Sequence, residues 1–421
     1  MKTEIEKLDH YGRGLAHIEN KVYFIDNALP HEIVEYKIVK DTKKYTLATT
    51  TKILKESPYR IPSTCPYSNI CGACSLRNLD FVQENEFKQE KVVELLSKMV
   101  DGSKELVKDI IYTNPDNYRN KVVFHVKDKK LGYYEEKTNK LIELDNCLLL
   151  NSRINELLPT LKEVVEENDL SEIVIRTSND NSKVMVKLIG NIQNYSKLLS
   201  IVDVLMLNDQ TATSDSSIVT NIGDYKYYVS LDSFFQVNET LTEKLYDKVR
   251  DYVKKLSPSN TLDLYCGAGT IGIYVSKYTN HVLGIDCNKS NILDANKNKE
   301  LNKVENIEFI ASKVEDVVEN IKDKYDLIIV DPPRAGLDPK TIKTIKEMSP
   351  KNIIYVSCDP VTLMRDLNIL KEHYNIVEIT PFNMFPRTYH VETVCILKKE
   401  VIEWKSKKGI MLLNMTKVTN I

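Results

Sequence analysis

The stretch Asn352-Ile-Ile-Tyr-Val-Ser-Cys-Asp-Pro360 decides how the second half of this chain is read. Ile353, Ile354, Tyr355 and Val356 form a short apolar run, the pattern of a parallel strand buried on both faces. Ser357 and Cys358 end the run. Asp359 then suits a helix N-cap and Pro360 the first helical position, ahead of the helix-like VTLMRDLNIL. Cys358 is thereby expected at the carboxyl end of a strand, just before a helix N-terminus. Open α/β sheets bind ligands along that edge. The helix end favours a thiolate and the neighbouring Asp359 opposes it, so both signs of pKa shift stay open. A buried structural cysteine is the plain alternative.

Outward from this stretch the chain alternates strand and helix from about Thr240. Helical TLTEKLYDKVRDYVKKL leads into TLDLYCGAGTIGIYVSKY, and the strands HVLGIDCN, IEFIAS, YDLIIVDPP, NIIYVSCDP, NIVEITPF and VETVCILKK follow. This is the texture of a doubly wound α/β sheet. Only the ten residues FNMFPRTYHV join the last two strands, too few for a helical crossover. The final strand is therefore expected to run antiparallel. Gly267-Ala-Gly-Thr-Ile-Gly272 follows a strand and opens a helix, and Asp286 ends the next strand nineteen residues after Gly267. Glycines admit a ligand close to the backbone, and the acid can hold a ribose hydroxyl pair. A nicotinamide dinucleotide and S-adenosylmethionine fit this pattern equally. Asp331-Pro-Pro-Arg334 sets a carboxylate and a rigid turn on the same edge. That suits a planar base and has no evident use in a dehydrogenase.

The chain has 421 residues, 42% of them hydrophobic, and a formal net charge of −2. This length accommodates two or three domains. Any nucleic-acid partner would have to be met by a local patch rather than a global basic field. No apolar run approaches the ~20 residues that span a bilayer, and the N-terminus does not read as a signal peptide. A cytoplasmic location is expected, where eight cysteines point to metal or catalysis rather than disulfides.

Residues 1–56 read as a small β domain of the OB type, with alternating KVYFIDN, EIVEYKIVK and KYTLATTTKIL and a basic turn at Tyr11-Gly-Arg-Gly14. Six lysines between Lys37 and Lys55 face one acid, Asp41; a solvated strand edge explains them as well as RNA does. Residues 57–239 read as a cysteine-bearing linker and an α+β region. Cys65, Cys71 and Cys74 lie within ten residues, and Cys147 is the one other cysteine before the catalytic half. Four thiolates suit an iron–sulfur cluster or a structural zinc. An amphipathic helix is expected over 80–100, hairpins over 117–147, a helix over 151–168, two strands over 171–190, a helix over 194–207 and a strand over 224–230. Arg119, Lys121, Lys127, Lys129 and Lys130 are candidates for a basic groove, with surface charge that serves only solubility as the plain alternative. Residues 240–400 form the sheet domain, and the tail 401–421 has no functional reading.

Taken together, HYGRGLA, VYFIDNALPHE, CPYSNICGAC, SFFQVN, DLYCGAGTIG, DPPRAGL, YVSCDP and HVETV resemble the RNA (uracil-5-)-methyltransferases. The likeness is greatest to those that carry an iron–sulfur cluster and modify 23S ribosomal RNA. It spans roughly residues 1–398. It implies a Rossmann-like class I S-adenosylmethionine methyltransferase sheet, an N-terminal OB-like barrel of the TRAM type and an α+β central domain. It implies Cys358 as the nucleophile at carbon 6 of uracil and Glu392 as the base that removes the carbon 5 proton. Gln236, Tyr265, Gly267, Asp286 and Asp331 are the implied S-adenosylmethionine contacts, with Thr270 a weaker one. Cys65, Cys71, Cys74 and Cys147 are the implied ligands of an iron–sulfur cluster, 4Fe-4S in type. The partner implied is RNA, with a target uridine flipped out of its stack. No membrane and no obligate protein partner are expected, and the chain is expected to act as a monomer. A transfer-RNA uridine methyltransferase is the nearest competing reading. A nicotinamide-dependent iron–sulfur oxidoreductase and a non-catalytic RNA-binding protein are competitors from other classes.

Overall fold

The computed structural model describes residues 1–68, 70–135, 138–317 and 324–400, with the pairs 406–407 and 410–411; the rest of the 401–421 tail lies outside the described residues. Three large sheets carry the architecture.

The first sheet has six strands between Lys2 and Lys55. Its two edges, Lys2–Glu4 and Lys7–Leu8, are consecutive in the chain and separated only by Ile5 and Glu6. One interrupted strand thus supplies both edges and draws the sheet round on itself. Three register shifts between Ile33–Asp41 and Tyr45–Lys55 add bend. Ile5, Ile25, Val34, Tyr36 and Ala48 fill the small core.

The second sheet has seven strands, running Gln210–Thr211, Val204–Leu207, Val184–Asn191, Asp169–Thr177, Lys121–Lys127, Lys130–Tyr134 and Leu141–Glu143. Helix Ser152–Glu167 covers one face through Ile154, Leu157, Leu158 and Leu161. The helix expected over 194–207 is a correction. Only Ser196–Leu199 is helical, and Val204–Leu207 is a strand parallel to Val184–Asn191. Asp203 explains the switch: its carboxylate accepts the Val184 N–H at 2.8 Å and the Lys183 ammonium at 2.7 Å, pinning the segment alongside Val184–Asn191. The strand expected over 224–230 is found at Tyr225–Val229, paired with Ile218–Ile222.

The third sheet has the order Ile307–Ala311, His281–Asp286, Asn260–Leu264, Leu327–Val330, Asn352–Ser357, Glu392–Lys399, Tyr374–Phe382. All pairings are parallel except those of Glu392–Lys399, which is antiparallel to both neighbours as its short connection requires. Helices Thr270–Val275, Lys289–Leu301, Val314–Val317, Pro339–Met348 and Pro360–Leu370 lie between the parallel strands in chain order. No helix among the described residues is long and apolar enough to cross a membrane.

Helix Phe81–Ser97, capped by Asp80, joins the third sheet rather than the second: Val92, Leu95 and Leu96 pack in its core. Lys88 of this helix is fully buried. Its ammonium donates to Glu84 at 2.9 Å, to Asn383 Oδ1 at 2.5 Å and to the Phe385 carbonyl at 3.1 Å. Glu84 also accepts from the Arg387 backbone N–H at 2.9 Å. This hub fixes the 383–390 loop that leads into the last strand. Lys88→Ala would remove the nearer of two cations paired with the buried Glu84 carboxylate, the other being Arg387 at 3.6 Å. It is expected to lower stability by about 3 kcal/mol in urea unfolding.

Candidate active site

The strand Asn352–Ser357 ends in a tight turn. Ser357 Oγ donates to the Asp359 carbonyl at 3.0 Å and accepts the Asp359 N–H at 3.2 Å. Asp359 caps the following helix by accepting the Val361 N–H at 2.8 Å. Cys358 is held, partly buried, at the tip. On the neighbouring strand Ser357 is registered against Thr393, whose hydroxyl donates to the Ser357 carbonyl at 3.2 Å. The next residue outward is Glu392, only 2% exposed, so it stands level with Cys358. On the other side Val330 pairs with Tyr355, and Asp331 follows at the same edge.

These three acidic groups interact. Burial pushes the Cys358 thiol up to about 12, with further upward pressure from Glu392 and Asp331 and partial relief from Arg334. Glu392 is raised well above the carboxylate range by burial and by Asp331. Burial also lifts Asp331 to about 7. Of the two signs left open by the sequence, the upward one wins at Cys358. A helix terminus contributes on the order of 1 kcal/mol, less than the desolvation of a thiolate beside two carboxyls. The resting nucleophile candidate is a thiol, next to a carboxyl pair that holds a proton at neutral pH.

The second half of the site lies at the ends of Asn260–Leu264 and His281–Asp286. Tyr265 adopts φ 63°, and Gly267 and Gly269 adopt φ 55° and 74°. A Cβ on Gly269 would lie 2.5 Å from Phe309, whereas one on Gly267 would meet nothing within 4 Å. Gly269 is needed for packing, and Gly267 leaves open space above the loop. Asp286 accepts the Gly267 N–H at 3.0 Å, the Asn288 N–H at 2.8 Å and the Asn291 amide at 3.1 Å. Oδ1 takes two of these bonds and Oδ2 one, so Oδ2 keeps a spare lone pair. The Tyr265 hydroxyl lies 3.5 Å from Thr341 Oγ1. Gln236 is buried, its carbonyl 3.4 Å from the Asn120 amide. Thr270 is turned to the core instead, its hydroxyl 2.7 Å from that of Tyr246.

Asp263 was not anticipated. It is fully buried, accepts the Gly272 N–H at 3.0 Å through Oδ2, and is pushed up to about 8 by burial and Asp331. Its Oδ1 and that of Asn291 are buried without hydrogen-bond partners. The signal was present as an acid inside the apolar strand TLDL. The spare lone pair on Asp286 Oδ2, the unpartnered Asn291 Oδ1 and the open space over Gly267 suit a ligand that brings hydroxyl and ammonium donors. S-adenosylmethionine brings both.

Cys65, Cys71, Cys74 and Cys147 line one small enclosed cavity together with Tyr67, Tyr133 and Leu144. Burial pushes Cys74 up to about 12 and raises Cys71 and Cys147. Among the described residues no group of three or more His, Cys, Asp or Glu is drawn together closely enough to hold a single metal ion. The basic groove is a correction. Lys121 points inward to the Leu231 carbonyl at 2.7 Å, Lys129 bonds the Asn168 carbonyl at 2.6 Å, and Lys130 pairs with Glu143 at 3.6 Å. Neighbouring residues on a strand face opposite sides, which disperses these charges.

The tRNA (uracil-5-)-methyltransferase family profile matches residues 205–400, and the TRAM domain profile matches residues 3–50. An uncharacterized RNA methyltransferase of Clostridium acetobutylicum is 32% identical, over 94% of this chain and 96% of that one. One of Staphylococcus aureus is 30% identical, over 92% of this chain and 96% of that one. The crystal structure of the Pyrococcus abyssi tRNA (uracil-54, C5)-methyltransferase with S-adenosyl-L-homocysteine superposes with a TM-score of 0.77. It is 27% identical and covers 94% of this chain and all of that one. The chain is an enzyme of the S-adenosylmethionine-dependent RNA (uracil-5-)-methyltransferase family, with a TRAM domain at its N-terminal end.

Proposed function

We propose that this enzyme methylates carbon 5 of a uridine in 23S ribosomal RNA through a covalent bond from Cys358 to carbon 6. The observation that carries the reading is the meeting of Cys358, Glu392 and Asp331 at three adjacent strand ends. Carbon 5 of uracil is a weak nucleophile. As the Cys358 thiol gives up its proton to solvent, sulfur addition at carbon 6 moves electron density through the ring, charges oxygen 4 and makes carbon 5 reactive. When bound, S-adenosylmethionine supplies the electrophilic methyl group. Glu392 then takes the proton from carbon 5, the carbon–sulfur bond breaks, and the ring double bond returns. Gln236, Tyr265, Gly267, Asp286 and Asp331 are the proposed methyl-donor contacts. Asp286→Ala is expected to weaken S-adenosylmethionine binding roughly tenfold in calorimetry, the loss of a charged hydrogen-bond acceptor.

The proton on the resting pair makes turnover pH-dependent. Glu392 acts as a base only after that proton has left, so kcat is expected to rise with pH through neutrality. Its apparent pKa belongs to the pair. Asp331 is one of two causes that raise Glu392. In Asp331→Asn the rising limb is expected at lower pH, read from the pH dependence of kcat.

The TRAM module and the four clustered cysteines support ribosomal RNA as the substrate. The Pyrococcus abyssi enzyme supports a second reading, transfer RNA, because that tRNA (uracil-54, C5)-methyltransferase matches 94% of this chain. Labelled S-adenosylmethionine with unmodified 23S ribosomal RNA and transfer RNA separates them. Label in ribosomal RNA is expected; label confined to transfer RNA establishes the second reading. Cys65, Cys71, Cys74 and Cys147 are the proposed holders of an iron–sulfur cluster, supported by their shared cavity. Anaerobically purified protein is expected to contain iron and sulfide, and Cys74→Ser to lose most of both.

A further inference from the structure

The barrel and the catalytic loop are joined by a run of rings that the reaction does not use. Arg13 lies over Phe24 at 4.6 Å and over Tyr11 at 5.3 Å, held in place by two bonds to Asp9 at 2.8 and 2.6 Å. Tyr11 meets Tyr389 edge to face at 5.5 Å, and Tyr389 lies 4.2 Å from the His390 ring. His390 is two residues before Glu392 and feels the charges of Arg334 and Asp359, so the run ends at the lip of the crevice. Lys91 fastens the two parts, donating to the His10 carbonyl at 2.8 Å and the Tyr389 carbonyl at 3.2 Å. The turn itself is preset: Asp9 accepts the N–H groups of Tyr11 at 2.9 Å and Arg13 at 2.8 Å. Despite this bracing Tyr11 remains 58% exposed. A large ring braced on one side and continuous with the lip of the crevice presents a face that the described residues leave uncovered.

We infer that Tyr11, Tyr389 and His390 form a stacking track for unpaired RNA bases flanking the one that enters the crevice. The inference rests on the RNA (uracil-5-)-methyltransferase reading and adds a binding subsite to it. Every base has a π-face, so such a track grips single-stranded RNA without reading its sequence. The guanidinium of Arg13, already placed over two rings, extends the same kind of surface onto the barrel. His390 is pushed down to about 4 by burial and nearby cations, so it stacks as a neutral ring.

The test uses the full chain and two labelled probes: an oligouridylate, and an abasic ribose-phosphate chain of the same length. The wild type is expected to bind the oligouridylate better than the abasic chain. Tyr11→Ala is expected to weaken oligouridylate binding about tenfold, the worth of one stacked base, with Tyr11→Trp close to wild type. The abasic chain is expected to bind wild type and Tyr11→Ala alike. On a full RNA substrate the loss is expected in KM with kcat retained. Equal loss on both probes, or no loss on either, overturns the track while leaving the methyltransferase reading intact. A wild type that binds neither probe and methylates no RNA removes the reading beneath it.

Discussion

Cys358→Ala is expected to lower methyl transfer to RNA by at least about a thousandfold, with S-adenosylmethionine affinity and thermal unfolding close to wild type. The other thiols near this edge are not placed to replace it: Cys266, at the end of Asn260–Leu264, and Cys395 are buried, and Cys287 is exposed beside Asp286. Stability is spared for a separate reason. Cys358 is only partly buried, and the turn that holds it is bonded through Ser357 and Asp359. Removing the sulfur leaves those bonds in place. Incorporation of labelled methyl groups, calorimetry with the methyl donor and a melting curve measure the three parts. A rate within roughly tenfold of wild type would place the nucleophile elsewhere.

Glu392→Gln is expected to behave differently. Attack by Cys358 and methyl transfer precede the step that needs this carboxylate, so the variant should stall with methylated RNA still bonded to sulfur. Turnover should fall by about 10²–10⁴-fold, the usual worth of a positioned base. A protein–RNA species should survive denaturing electrophoresis. The double variant with Cys358→Ala should show none. The same substitution has a stability signature. Glu392 has a raised pKa in the folded state, so the native chain holds a proton that the unfolded chain releases. Its stabilising contribution is complete below the ordinary glutamate range and is lost as pH rises through the raised value. Glu392→Gln removes that dependence, and its melting temperature should exceed that of wild type at alkaline pH. Full turnover with no trapped species would assign proton removal to another group.

The sheet and its reversed last strand were legible because both follow from local pattern. Apolar runs such as Ile353–Val356 are strands wherever they are buried on two faces, and ten residues cannot make a crossover. The turn at Cys358 was legible for the same reason, since Ser357, Asp359 and Pro360 act on their own neighbours. Residues 194–207 were misread because Asp203 bonds Val184, a partner remote in sequence, and that bond outweighs helical spacing. The role of helix Phe81–Ser97 was hidden by a lysine: Lys88 reads as a surface residue, yet it is the centre of a buried hub. The protonation of the site was illegible in principle. It depends on how close Glu392 and Asp331 come to Cys358, and three separate strands decide that. The inward turn of Lys121 is of the same kind, set by a carbonyl more than a hundred residues away at Leu231.

The central claim is that this crevice methylates carbon 5 of uridine, and nucleoside mass spectrometry tests it most directly. RNA treated with methyl-labelled S-adenosylmethionine and wild-type enzyme would be digested to nucleosides and separated. The predicted product is 5-methyluridine, present with wild type and absent with Cys358→Ala. Label in a methylated cytidine or purine, or 5-methyluridine formed equally by Cys358→Ala, would contradict the account.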